Sequence, residues 1–225
     1  MRETGGRHEL KHYINYADFL QLRSRLHSVA SLDVNAHDCN CYRVRSLYFD
    51  NYNDKALREK IDGYDKREKF RLRLYNNDPS FIRLEKKSKR GGMSFKESAP
   101  ISASICESLL HGDLQALRDN ATPLLLELYT KMHYQQLRPK SIVDYDREAY
   151  VFRAGNVRVT LDSDIRASTN VITFLDPEII TVPIPNVIIL EVKYDNFLPE
   201  IIRGMTSLSN RRSTAFSKYA AARII

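Results

Sequence analysis

Across residues 69–75 the chain alternates strictly: Lys69, Arg71 and Arg73 take every second position, and Phe70, Leu72 and Leu74 lie between them. Successive side chains of a strand point to opposite faces, so this pattern predicts one cationic face and one apolar face. The same period recurs elsewhere. Arg7, Glu9 and Lys11 share a face, as do Arg83, Glu85 and Lys87, and Ser94 with Lys96. Further on, Tyr145 and Arg147, then Arg158, Thr160 and Asp162, and finally Glu191 and Lys193 repeat it. One such strand is ordinarily the wet side of a sheet. A whole set, rich in cations with a minority of carboxylates, predicts a sheet that curls its charged faces around a polar lumen.

The hydrophobic pattern predicts strands over 7–14, 41–50, 67–75, 81–88, 93–98, 139–152, 156–162 and 187–194. Helical spacing predicts helices over 16–29, 55–61, 102–111, 123–137, 199–208 and 214–223. Asp54 is placed to cap the second helix and Ser102 the third. Asn76 to Ser80, Gly91-Gly92 and Gly155-Asn156 mark turns between paired strands. Hairpin-linked strands with helices outside make an α+β fold whose antiparallel strands close into a tunnel-like barrel. No repeat or linker interrupts the chain, and one domain is expected over 1–225.

Charge sharpens this picture. The 225 residues carry a net charge of +7, yet residues 66–96 alone hold 11 Lys/Arg against 3 Asp/Glu. The basicity is concentrated on predicted strands, which calls for an acidic ligand. No nucleic-acid polymer is expected: the aromatic residue among the cations, Phe70, falls on the opposite face, where no base can stack beside them. Neither GxxxxGK[ST] nor GxGxxG occurs, so side chains must hold any phosphates. Cys39, Cys41 and Cys106 form no CxxC pair and are read as reduced and structural. The six histidines have no ligand spacing; His8 and His12 fall on the apolar side of the first strand. Lys89-Arg90 reads as a solvated loop, and Arg211-Arg212 as a solvated pair. No apolar run approaches the roughly 18 residues of a membrane span, and no signal-peptide core opens the chain. A cytoplasmic location is expected.

Arg7-His-Glu9-Leu-Lys11 resembles the ExExK signature of the triphosphate tunnel metalloenzymes. Ser46-Leu-Tyr-Phe-Asp-Asn51, Lys69-Phe-Arg-Leu-Arg73, Leu84-Glu-Lys-Lys87, Leu190-Glu-Val-Lys193 and Phe216-Ser-Lys-Tyr219 are similar to the polyphosphate polymerase domain of the vacuolar transporter chaperone branch. Each motif is short; their ordered set runs from Arg7 to Tyr219. The resemblance implies a closed antiparallel tunnel holding ATP and polyphosphate, with Mn²⁺ or Mg²⁺ as cofactor. It implies phosphate-binding roles for Lys11, Arg71, Arg73, Lys87, Lys96, Arg147, Arg158 and Lys218. Tyr145 would line the site and Glu191 would bind metal. Within that set Arg71, Arg73, Lys87, Arg147 and Arg158 are the catalytic candidates. The alternating strands add Lys69, Arg83 and Lys193 as phosphate ligands, and Glu9 and Glu85 as further metal ligands. A membrane-protein partner chain is a further implication of the family.

Arg7 stands where ExExK has its first Glu, which removes a carboxylate that triphosphatases use. The expectation is therefore ATP-dependent polyphosphate polymerisation. A metal-dependent triphosphatase or nucleotidase on the same fold, and a non-catalytic polyphosphate or inositol-phosphate binding module, are the alternatives.

Overall fold

A computed structural model of the chain describes residues 6–34, 40–119, 122–208 and 216–223. The alternating segments are strands: β1 (His8–Ile14), β2 (Ser31–Leu32), β3 (Tyr42–Asp50), β4 (Arg67–Tyr75), β5 (Ile82–Arg90), β6 (Met93–Ile101), β7 (Arg138–Phe152), β8 (Val157–Ser168), β9 (Val182–Pro183) and β10 (Ile188–Tyr194). The helices are α1 (Tyr16–Val29), α2 (Lys55–Ile61), α3 (Ala103–Leu110), α4 (Gln115–Asp119), α5 (Pro123–Tyr134), α6 (Glu200–Thr206) and α7 (Lys218–Ala222).

The sheet follows the order β1-β10-β8-β7-β3-β4-β5-β6, with β2 on β7 and β9 on β8. Every pairing is antiparallel. The sheet curls until its outer strands meet: Arg7 and Ser94 exchange two backbone hydrogen bonds of 3.0 and 3.1 Å. This is the α+β tunnel architecture expected from the alternation.

The apolar faces explain where the helices lie. Phe70, Leu72 and Leu74 are wholly buried under α3, α4 and α5, against Leu109, Leu117, Leu125 and Leu128. Burial of each such side chain contributes about 1.5–3 kcal/mol. On the other flank Phe19, Leu22 and Leu26 of α1 pack on Val157, Val159, Leu190 and Val192. Asn15 starts α1 with a reciprocal capping box through Asp18. A third cluster lies on the inner face, where Phe216, Tyr219 and Ala222 cover Tyr48, Tyr145 and Ile189.

Four expectations are corrected. The Asp54 side chain does not cap α2; the residue adopts a left-handed backbone and makes no side-chain cap bond. Asp50 does that work from within β3, accepting from the Ala56 and Leu57 amides at 2.9 and 3.1 Å. β8 continues past Asp162 to Ser168, because an extra residue at Asp164 (φ 48°) bulges the strand against β7 and shifts its alternation. Likewise β6 runs on through Pro100 to Ile101, a position an outer strand tolerates. Lys89-Arg90 belongs to β5, because Gly91 and Gly92, both at positive φ, carry the tight turn. Arg211 and Arg212 lie outside the described residues.

Candidate functional site

The sheet's inner face encloses two adjoining cavities of about 210 and 570 Å³. Glu9, Arg71, Arg73, Lys87, Arg147 and Lys193 line both, so the cavities are two arms of one channel. The smaller arm is lined by eleven Lys/Arg against three Glu, which leaves a large cationic excess.

The β-period places these charges. Arg67, Lys69, Arg71, Arg73 and Tyr75 have the same parity on β4 and all reach the channel. Ser46 and Tyr48 face Arg73 and Arg71 across the β3–β4 pair, and Arg147 faces Asp162 across β7–β8. On the seam Lys11 pairs with Glu191 and Glu9 with Lys193.

Carboxylates hold the innermost cations in place. Both Arg71 nitrogens that reach Glu85 do so at 2.5 and 2.7 Å, and Lys96 takes its other oxygen at 2.6 Å. Arg147 binds Asp162 with two bonds of 2.6 and 2.8 Å, and Lys218 joins the same carboxylate. Arg73 instead donates to the hydroxyls of Ser46 and Tyr145, at 3.1 and 2.9 Å, with Glu85 only at 3.9 Å. Lys11 bridges Glu191 at 3.1 Å and Glu9 at 3.5 Å. Lys87 lies 3.6 Å from Glu9.

Crowding shifts the ionisation of these groups. Burial opposes the Glu9 carboxylate, but Lys87 and Lys193 hold it down at about 2. Burial also opposes the Glu191 carboxylate, yet Lys11, Lys193 and Lys87 keep it well below the usual range. Among the cations, burial and the neighbouring Lys11 and Arg71 lower the Lys69 ammonium to about 8, despite help from Tyr48. Burial and Arg67 do the same to Lys60. Tyr48 moves the other way from an ordinary buried phenol: burial raises it, but Arg71, Lys69, Arg73 and Lys218 bring it to about 7. A polyanion entering this channel would relieve charges that now repel each other.

Lys11, Lys69, Arg71, Arg73, Lys87, Tyr145, Arg147, Glu9, Glu191, Lys193 and Lys218 all line the smaller arm. Lys96 and Arg158 line the larger one, where Arg158 binds Asp33 at 2.6 Å and the Tyr42 hydroxyl at 2.8 Å. Two expected residues line neither arm. Glu85 is buried and saturated by Arg71 and Lys96, so it serves as their counter-charge. Arg83 turns to the Ser98 hydroxyl at 3.1 Å and lies over the Phe81 ring. His8, taken as apolar-facing, stacks on Tyr194.

Tyr48, Lys60 and Arg67 are channel residues without an assigned role in the sequence, and Lys89, expected in a solvated loop, lines the channel as well. Ser46 and Tyr48 alternate with Leu47 and Phe49, a signal of the same kind as that in β4. Lys60 offers no such signal, because α2 brings it in from outside the sheet.

A divalent metal fits this lining in one way. Among the described residues no group of three or more His, Cys, Asp or Glu comes together to cage an ion. Glu9 and Glu191, both ionised and both in the channel, suit a hard cation that completes its shell with water and phosphate oxygens.

Comparison with known proteins gives the following. The VTC domain family matches residues 6–224. No curated protein matches the sequence. Among solved structures, the PH1012 protein of Pyrococcus horikoshii OT3 aligns with a TM-score of 0.51 at 12% identity, covering 94% of this chain and 96% of that one. A conserved hypothetical protein of Pyrococcus furiosus aligns at 0.49 and 12% identity, with the same coverage of 94% and 96%. The first of these likenesses shows a shared fold.

Proposed function

The chain belongs to the VTC domain family, and from that premise we propose that it is an ATP-dependent polyphosphate polymerase. Family membership supports a function on polyphosphate or triphosphate in a tunnel fold; the transfer reaction is our own reading. The observation that carries it is the cationic row Lys69, Arg71 and Arg73 along β4, of which Arg71 and Arg73 are buried and line both arms of the channel. A site for a single small anion has no need of such length.

The reaction asks little of the protein beyond position and charge. A terminal oxygen of the polyphosphate forms a bond to the γ-phosphorus of ATP. The bond from that phosphorus to the β–γ bridging oxygen breaks, and its electron pair leaves with ADP. The attacking oxygen is already ionised, so no protein base is required. The transition state is loose, with charge spread over the phosphoryl oxygens. Arg71, Arg73 and Arg147 present planar donors to those oxygens, and Lys87 and Lys11 add compact charge. Glu85 and Asp162 hold the arginine planes still, so little reorganisation is needed as the charge develops. Arg158, on the larger arm, would add a further donor to phosphates lying there. Glu191 and Glu9 would hold Mn²⁺ or Mg²⁺, which would supply charge neutralisation at the leaving oxygen.

Arg71→Ala and Arg73→Ala are each expected to slow transfer at least about 100-fold, the usual cost of removing one donor to developing charge. Phosphorus NMR would follow mid-chain phosphate growing in step with ADP. Wild-type rates in both variants would overturn the assignment. Glu191→Gln is expected to abolish stimulation by Mn²⁺ while leaving polyphosphate binding in place, measured by titration with and without the metal.

A further inference from the structure

The turn between β5 and β6 already holds an anion, and the protein supplies it. Arg67 pairs with Lys89 across β4 and β5, which brings Asp65 and Gly91, two residues further out on each segment, side by side. Gly91 and Gly92 both take positive φ and present two successive amides to the Asp65 carboxylate. One oxygen accepts from the Gly91 amide at 2.7 Å and the other from the Gly92 amide at 3.0 Å. Successive backbone amides in a turn make a concave site for an anion. Gly92 is exposed and also lines the smaller arm, so this turn stands at a mouth of the channel.

Three cations share that mouth. Lys60, Arg67 and Lys89 line the same arm as Gly92. Arg67 and Lys89 lie directly opposite each other on paired strands, where like charges destabilise. Burial, Arg67, Lys11 and Lys89 all bring the Lys60 ammonium down, to about 8, and no carboxylate offsets them. The Gly92 and Gly91 amides, with Lys89 and Arg67 behind them, hold the Asp65 carboxyl below its usual range. An ordinary turn cap accounts for the two amide bonds. It does not account for three mutually repelling cations gathered beside them.

Resting on the reading of the channel as a phosphate tunnel, we propose that the Gly91-Gly92 turn is a phosphate site which Asp65 occupies until a polyphosphate chain displaces it. A phosphate group of the chain takes the two amides, with Lys60, Arg67 and Lys89 around it, and the Asp65 side chain swings out to water. The exchange selects for chains. A tethered carboxylate competes at an effective concentration on the order of millimolar, which free orthophosphate below that level does not match. A phosphate that is one link of a chain already held by the channel is tethered as well and competes on equal terms. Asp65 is thus a specificity-determining residue for polymer over single phosphates.

Two binding measurements test this, with long-chain polyphosphate and orthophosphate as probes. Calorimetric titration gives the affinities, and selective nitrogen-15 labelling of the eight glycines lets NMR follow the turn amides. In the unaltered protein long polyphosphate is expected to shift the Gly91 and Gly92 amides, and submillimolar orthophosphate is not. Asp65→Asn and Asp65→Ala are each expected to tighten long polyphosphate about 5-fold, since a self-occupied site lowers apparent affinity by the fraction it ties up. In both variants orthophosphate is expected to shift the two amides. Asp62→Asn makes the same charge change in the same loop at a residue that bonds to neither glycine, and is expected to leave both affinities as they are. A purely structural cap predicts the opposite sign, with long-chain binding weakened as the turn loosens. The proposal is overturned if both Asp65 variants bind the chain no more tightly, if Asp62→Asn tightens it equally, or if polyphosphate leaves the two amides unmoved. Binding within the channel but never at this turn would remove this proposal and leave the polymerase reading standing. Displacement of Asp65 without any product from ATP would remove the polymerase reading alone.

Discussion

Tyr48 illustrates how one residue's chemistry is set by its surroundings. Its ring lies under the Lys69 ammonium, and its hydroxyl is 3.4 Å from an Arg71 nitrogen. The surrounding cations hold that phenol near 7, and burial, together with neighbouring cations, holds Lys69 and Lys60 near 8. A bound polyanion would offset the charge of the neighbouring cations and so move all three upward from these values. Each group then takes up protons at a pH above its unliganded value. Binding of tripolyphosphate at pH 8 should therefore be accompanied by net proton uptake, seen as a dependence of the binding enthalpy on the buffer's ionisation enthalpy. The uptake from these groups should vanish by pH 6, where all three are already protonated. Tyr48→Phe should remove part of it. Net proton release at pH 8 would contradict this electrostatic account.

At the scale of elements, Asp50 links strand and helix. It is wholly buried and accepts from the amides of Asn51, Ala56 and Leu57 and from the Tyr219 hydroxyl. One carboxylate thus fixes α2, which carries Lys60, and α7, which begins at Lys218. Asp50→Ala leaves several buried donors unmet and is expected to cost about 2–4 kcal/mol, measured by urea unfolding. A loss under about 0.5 kcal/mol would show that neither helix depends on it.

The same residue marks what the sequence could and could not reveal. The β4 face, the seam strands and α1 were legible because a period of two or 3.6 is visible within one segment. Asp50 was not, because its role depends on a turn that swings α2 back over the end of β3. The continuation of β8 was hidden by the bulge at Asp164, which reverses the alternation in mid-strand. Arg83 and Glu85 share a face with Lys87 yet line neither arm, because a face becomes a site only where partner strands leave space beside it.

The whole molecule is a charge arrangement closed by one strand contact. Helices bury the outer faces, which leaves the inner ones no exit for their charge except pairing or a ligand. Pairing is incomplete: Glu85, Asp162, Glu9 and Glu191 each serve two or more cations. Breaking such a buried pair typically costs 3–5 kcal/mol, so these carboxylates hold the channel's shape, and a cationic excess remains along it. Among the described residues no helix is long and apolar enough to cross a membrane. The central claim is transfer along this channel from ATP to a chain of phosphates. Incubation of the protein with γ-labelled ATP and Mn²⁺, resolved on a gel, measures it directly. The expected result is a ladder of labelled polyphosphate with equivalent ADP; labelled free phosphate without a ladder would contradict it.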